Sequence, residues 1–342
     1  MHIKVLGIDL AKNVFQLCAI NQAGKEVFNR QVRRAKLAST VSNLEPDLIA
    51  MEACSSAHYW GRRFEAMGHR VALIPAQHVK AFVRVNKSDA HDALAIAEAS
   101  QRPNLKTVPV KSLEQQDLQM ISRQRQRWIR HRTAVVNQIR STGREYGVSI
   151  PLGYRALKQA LPDVLEDASN ELTPVARELI AEWAEELRQL DDKIHAAQER
   201  QKTLVRDNPA ASALQDVPGF GAVNSAIVLS AVGDARQFSN GRQMAAWMGL
   251  VPRHTGTGGR TRMLGISKNG DRELRTMMIH GARAVIRWAD RRDNALGRWV
   301  KRLQARRGHN KAVVALANKL ARIAWVVIAK GERFDMNKAF SG

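Results

Sequence analysis

The run Ile3-Lys4-Val5-Leu6-Gly7-Ile8-Asp9-Leu10 reads as a buried strand that closes on an acid. Its nearly unbroken aliphatic character is that of a strand covered on both faces. Two further strands follow, Val14–Ile20 and residues 26–32, and the turn Asn21-Gln22-Ala23-Gly24-Lys25 between them predicts a hairpin. A helical stretch over residues 34–44 leads to a second apolar strand, residues 47–53. A helix over residues 56–67 comes next, with Gly68 as its stop, and then a strand over residues 70–75. Three strands followed by alternating helices and strands predict an α/β sheet containing both antiparallel and parallel pairs.

The acids of this region are unusually placed. Asp9 closes the first strand, and Glu52 closes the later one in Ile49-Ala50-Met51-Glu52. Asp89 and Asp92 stand three apart in Ser88-Asp89-Ala90-His91-Asp92-Ala93, where a helix begins, so both face one side of it. Acids at strand ends beside paired acids on a helix can hold two divalent cations about 4 Å apart, which polarise a scissile phosphate and activate an attacking hydroxyl or water. Oxygen-only ligands favour magnesium or manganese. Singly, each acid has a plainer use: Asp89 suits a helix cap, Asp92 the first-turn dipole, and Asp9 a solvated strand end. The set is more specific, because Asp9 and Glu52 end strands that are otherwise apolar.

Composition narrows the partner. The chain has 342 residues, enough for two or three domains, and 44% are hydrophobic, as in a globular protein. Lysine and arginine number 54 against 32 acids, a net charge of +22. Such an excess repels itself unless a polyanion offsets it, and nucleic acid does so with release of counterions. Between Arg253 and Arg333 there are 20 basic and 5 acidic residues, so the C-terminal third is expected to be the main nucleic-acid surface. No stretch reads as apolar enough to span a bilayer. The first residues lack a signal-peptide pattern, and Cys18 and Cys54 are too few for a disulfide framework or a zinc module. A cytoplasmic protein is expected.

Beyond residue 110 the chain reads as long helices. Leu118, Ile121, Arg125, Trp128, Arg132, Val135 and Ile139 form an imperfect heptad seam, and Ile180, Trp183, Leu187, Leu190, Ile194, Ala197, Gln201 and Leu204 a cleaner one. Seven arginines and no acid lie between Leu118 and Arg144, while seven acids face two arginines between Glu171 and Asp192. This complementarity predicts that the two helices pair, within one chain or between protomers. Residues 143–170 read as their connector. The last part holds short helices, a glycine- and arginine-rich loop over residues 255–265, and helices over residues 272–290, 296–306 and 311–330. Val217-Pro218-Gly219-Phe220-Gly221-Ala222 before an apolar helix resembles a helix-hairpin-helix motif, in which Gly219 and Gly221 would free backbone N–H groups for a phosphate.

Gly7-Ile8-Asp9-Leu10-Ala11-Lys12, Met51-Glu52-Ala53 and Ser88-Asp89-Ala90-His91-Asp92-Ala93 resemble the three acidic motifs of the DEDD transposases of the insertion-sequence one-ten family, the bridge-RNA-guided recombinases. The likeness extends over nearly the whole chain, including Trp247-Met248-Gly249-Leu250-Val251-Pro252-Arg253 and Gly265-Ile266-Ser267-Lys268-Asn269-Gly270-Asp271. It implies a RuvC-like domain of ribonuclease H fold over residues 1–110, a helical coiled-coil region over 111–206, and a mainly helical transposase domain over 207–342. It implies Asp9, Glu52, Asp89 and Asp92 as metal ligands. Donor and target DNA, a noncoding guide RNA and a homo-oligomer, with one protomer's N-terminal domain serving another's C-terminal domain, are also implied.

In the resembled family a serine shortly after the Gly-Leu-x-Pro segment is the recombination nucleophile. Here the stretch reads Pro252-Arg253-His254-Thr255-Gly256-Thr257-Gly258-Gly259-Arg260, without serine. Ungapped counting puts Thr257 in its place, and a shifted alignment Thr255. Ser267 matches a different family position. Threonine offers the same hydroxyl with a methyl that crowds attack. A threonine nucleophile, a crippled enzyme and activated water as the attacking group all stay open. Arg253, Arg260, Arg262 and Lys268 are candidates to clamp phosphate. A structure-specific nuclease is the alternative reading. An actin-like ATPase would need glycine-rich phosphate hairpins, which residues 34–110 lack.

Overall fold

The computed structural model describes residues 2–83, 88–289 and 291–341. The chain divides into two units, Met1–Leu113 and Glu114–Gly342. The first is built from β1 (Val5–Asp9), β2 (Val14–Ile20), β3 (Glu26–Arg33), α1 (Arg34–Ser42), β4 (Leu48–Glu52), α2 (Ala57–Ala66), β5 (Val71–Ile74), the single turn α3 (Ala76–Val79) and α4 (Asp89–Ser100). Its strands form one sheet in the order β3-β2-β1-β4-β5. The first three strands pair antiparallel, and β4 runs parallel to both β1 and β5, giving the mixed sheet the strand order predicted.

Alternation along the strands explains both layers. Leu6, Ile8, Phe15, Leu17, Ile49, Met51 and Leu73 point to one face, where Trp60 and Phe64 of α2 and Leu37 and Val41 of α1 cover them. Val5, Cys18, Ala50 and Ile74 point to the other, beneath Ala93, Ile96 and Ala97 of α4. α4 is rich in alanine, which lets its backbone lie close to the sheet.

The second unit opens with α5 (Leu113–Glu145), α6 (Tyr154–Glu166) and α7 (Pro174–Val205). α6 corrects the reading of this stretch as a connector: Leu157 and Leu161 are buried among Val135, Ile139, Ile180 and Leu187. Pro162, inside the helix, was the signal that hid it. α5 and α7 pair within the chain, through an Arg132–Asp191 ion pair at 2.8 Å and a buried bond from Gln201 Nε2 to Ser122 Oγ at 2.7 Å. Six of the seven earlier seam positions on α7 are buried, but Leu204 is half-exposed and Val205 is buried instead. A straight helix drifts by about 20° per seven-residue repeat, so over three to four heptads the inward face moves by about 60–80°, most of the way to the next residue.

Beyond these lie α8 (Pro209–Gln215), α9 (Ala222–Val232), α10 (Gly241–Trp247), β6 (Pro252–Thr257), β7 (Arg260–Ile266), α11 (Arg272–Ala289), α12 (Ala295–Arg307), α13 (His309–Lys330) and α14 (Met336–Phe340). Asp290, where a helix end was expected, lies outside the described residues. α13 is long and apolar enough to cross a membrane by length and composition, contrary to the sequence reading. Its apolar stripe, with Val313, Leu316, Leu320 and Val327, sits in the largest core cluster with Met244, Leu274 and Met278. The expected loop over residues 255–265 is a β-hairpin, with Thr255 opposite Arg262 and Thr257 opposite Arg260. Gly258 and Gly259 both have positive φ, +57° and +78°, the two-residue turn that matches strand twist.

Candidate active site

The acid group is assembled by one close approach. Gly7 and Asp9 share a face of β1, two residues apart. A Cβ added to Gly7 would collide with the Ala93 carbonyl oxygen and lie 2.9 Å from the Ala97 Cβ, so only glycine lets α4 rest there. One turn before Ala93, α4 begins at its cap Ser88, whose hydroxyl accepts from the His91 N–H at 3.3 Å. That first turn carries Asp89 and Asp92 beside Asp9, and carboxylate oxygens of the three lie within 4.8 Å of one another. Asp9 and Asp92 are half-buried and Asp89 is exposed.

Glu52 reaches the same edge by register. Ile8 pairs with Met51 in the parallel β1–β4 ladder, so one step on, Asp9 and Glu52 end neighbouring strands. Glu52 shares the face of Ala50, which packs beneath α4. Its carboxylate is outside the 4.8 Å group formed by the three aspartates, among the described residues. The thiol of Cys54 is pushed above the ordinary range by burial, and then by the charges of Glu52 and Asp9, so both acids bear on it.

Sequence reasoning missed two residues that hold this arrangement. Gln16 lies directly opposite Asp9 in the β1–β2 ladder and is buried. Its Nε2 donates to Asn29 Oδ1 at 2.7 Å, and Asn29 Nδ2 donates to the Ala90 carbonyl at 3.0 Å. The first turn of α4 is thereby tied to β2 and β3. A lone glutamine among apolar strand residues was the only available signal.

In the second unit, Thr255 and Thr257 are exposed on β6, with Arg253 on the same strand and Arg260 and Arg262 opposite on β7. The base of this hairpin is clamped. An added Cβ at Gly249 would overlap the Asn269 backbone, and one at Gly270 the Trp247 carbonyl. The Ser267 N–H donates to the Val251 carbonyl at 2.8 Å, and that of Lys268 to the Gly249 carbonyl at 3.2 Å. The two motifs quoted around Gly249 and Gly270 are therefore the two legs of one clamp. Gly219 serves helix packing: its carbonyl accepts from Asn224 Nδ2 at 2.8 Å and abuts Gly281 of α11. Gly221 is exposed at the start of α9.

Just beyond the hairpin the half-buried Glu273 of α11 lies within the electrostatic reach of the buried Arg125 of α5. Burial and the neighbouring Asp271 push the Glu273 carboxyl up to about 7, against the opposing pull of Arg125, Arg123 and Arg130. Arg125, a seam residue of α5 that is only 8% exposed, has Nε and Nη1 without hydrogen-bond partners, as has Glu273 Oε1.

Comparison with known proteins converges on one family. A DEDD model of IS110, described as "Transposase", matches residues 6–146, and the transposase IS116/IS110/IS902 family matches residues 211–297. The chain is 41% identical over 332 residues to the transposase for insertion sequence element IS1111A of Coxiella burnetii, covering 97% of this chain and 91% of that protein. It is 43% identical over 331 residues to a probable family 20 transposase of Pseudomonas aeruginosa, covering 96% and 98%. More distantly, it is 22% identical over 355 residues to the pilin gene-inverting protein of Moraxella bovis, covering 96% and 97%. With two family models matched in chain order and relatives above 40% identity along nearly their whole length, this chain belongs to the IS110 family of DNA transposases.

Proposed function

We propose that this transposase cuts and rejoins DNA with a magnesium- or manganese-bound carboxylate site of Asp9, Glu52, Asp89 and Asp92, on a RuvC-like unit of ribonuclease H fold. The convergence of Asp9, Asp89 and Asp92 within 4.8 Å carries the reading. An all-oxygen donor set at this spacing fits a hard divalent cation. Asp9 and Glu52 stand at the carboxyl ends of adjacent parallel strands, where open α/β sheets bind ligands. The bound cation would supply charge to the attacked phosphate. The four acids would hold it, and the packing of α4 on Gly7 supports the spacing of the three aspartates.

The nucleophile in this reading is the Thr257 hydroxyl, with Thr255 second. Its Oγ1–P bond forms as the P–O bond to the departing strand breaks, the proton passing to solvent or base. Arg260, directly opposite, and Arg262 would neutralise the phosphate. A noncoding guide RNA and a homo-oligomer complete the proposal on family grounds, with Arg253, Lys268 and the Gly219–Gly221 turn as further backbone contacts. The lack of serine on the hairpin favours one second reading, a structure-specific nuclease using activated water.

Replacing Asp9, Glu52, Asp89 or Asp92 singly by alanine should abolish magnesium-dependent strand cleavage while DNA retention in gel-shift assays stays near wild type. Wild-type cleavage by two or more of these variants would remove the carboxylate site from the mechanism.

A further inference from the structure

Four cations from three helices converge on a cleft of about 580 Å³ within the second unit. Arg242 of α10, Lys319 and Arg322 of α13 and Lys338 of α14 line it, with Asn240 and Trp325 between them. No carboxylate is among its described lining residues. The convergence is built into the packing. A Cβ at Gly241 would stand 2.8 Å from the Arg322 carbonyl oxygen, and this close approach sets Arg242 beside Arg322. Lys319, three residues earlier on α13, shares the face of Arg322.

Little within the protein offsets this charge. Among the described residues, Glu332 reaches Lys338 alone of the four, at 3.0 Å. The Lys319 ammonium lies 5.5 Å and 5.2 Å from the ring centres of Trp299 and Phe340, a partial compensation. Burial, and then Arg322, hold Lys319 below the ordinary lysine range. Like charges gathered in a concave site raise the energy of the folded chain and focus potential on an anion. α10, seven residues and about 10 Å long, carries Arg242 near one end and Trp247, part of the hairpin clamp, at the other.

We infer that this cleft is a second phosphate-binding site, which grips the backbone of a nucleic-acid strand one helix length from the hairpin. The inference rests on the reading that this chain handles nucleic acid. Point charges without a planar base-reading constellation bind any sequence, so the cleft supplies affinity and register and leaves selection of sequence elsewhere. Its cations line a concavity and, Lys338 apart, have no ion pair among the described residues.

The test compares the full chain with Arg242→Gln/Arg322→Gln, and with Lys193→Gln/Arg200→Gln as a control of equal charge loss on the exposed side of α7, outside the C-terminal basic stretch. Binding to duplex DNA, single-stranded DNA and single-stranded RNA of one length is measured across a salt series. The cleft pair should weaken binding by about 10-fold or more and flatten the log–log salt slope by about 1 to 2, since each phosphate contact contributes about 0.7 to 0.9. The control should change affinity by less than about 3-fold. The strand type with the largest loss identifies the occupant. Without nucleic acid the cleft variant should unfold at or above the wild-type temperature, because a repulsion has been removed. Equal losses in the two variants, or wild-type binding by the cleft variant, overturn the inference. Failure of the wild-type chain to bind any of the three strands would instead overturn the nucleic-acid reading beneath it.

Discussion

The acids of the first unit and the hydroxyls of the second are held in opposite ways. Asp9 ends a strand paired on both sides, under a helix pressed against Gly7 and tied by Asn29. Thr255 and Thr257 stand on a two-stranded ribbon whose residues are exposed up to Ile266, fixed by ladder register and by the clamp at its base. A cation site works only if its ligands are preorganised to a fraction of an ångström, which a packed strand–helix junction provides. A group that must meet a long, stiff polymer gains from standing clear of the core. A lone hairpin is marginally stable in water, so this one relies on the clamp at its base.

The hairpin half of this contrast breaks on one side chain. Thr257→Ala should stop recombination, and Thr257→Ser should keep or raise it, as the crowding methyl is lost; both should bind nucleic acid as before. Trapping the covalent protein–DNA adduct in denaturing gels reads this directly. Parental activity in Thr257→Ala with failure of Thr255→Ala would move the nucleophile two residues upstream. Normal cleavage by both would favour activated water.

Two glycines test whether packing matters where the contrast says it does. Gly7→Ala should cost about 1–3 kcal/mol in urea unfolding, as overpacking does, and should lower cleavage more than 10-fold as α4 shifts. Gly265→Ala, which meets open space on β7, should leave both near wild type. Asn29→Ala keeps the packing and removes the tie, so its effect should be smaller: a magnesium requirement raised by about 10-fold, the lower range for outer supporting groups. A cleavage rate lost at every magnesium concentration would instead mark Asn29 as a folding residue.

The smallest effect sharpens the helical side. The Glu273 carboxyl, at about 7 in the folded chain, keeps its proton between its ordinary range and pH 7 while the unfolded chain releases it. Stability therefore falls as pH rises through that window. Glu273→Gln should match wild type near pH 4 and gain in unfolding temperature up to about pH 7, above which the difference stays constant. A difference independent of pH would place the strain elsewhere.

These elements also separate what the sequence discloses from what it conceals. β1 and β4 are legible because burial on both faces makes them continuously apolar, and an acid at each end stands out. The start of α4 is legible from Ser88 and the spacing of Asp89 and Asp92. The β6–β7 hairpin is not, because both faces are wet and no alternation marks it. Nor is the Asn29–Ala90 tie, which joins residues 61 apart across a ladder containing a bulge at Ala19/Ile20. Leu204 shows a subtler failure: heptad counting holds for a few turns and then drifts by one residue.

The burial of α13 bears on how the protein is born. Among the described residues, both core layers of the first unit are drawn from residues 3–110, so those layers can form while synthesis continues. The apolar faces of α10 and α11 are made before the residues 309–330 that cover them. Until α13 leaves the ribosome they remain open to water, to chaperones and to one another. A message broken before His309 would therefore yield a chain with an intact acid site but no stable helical unit, and such products should appear in the aggregated or proteolysed fraction.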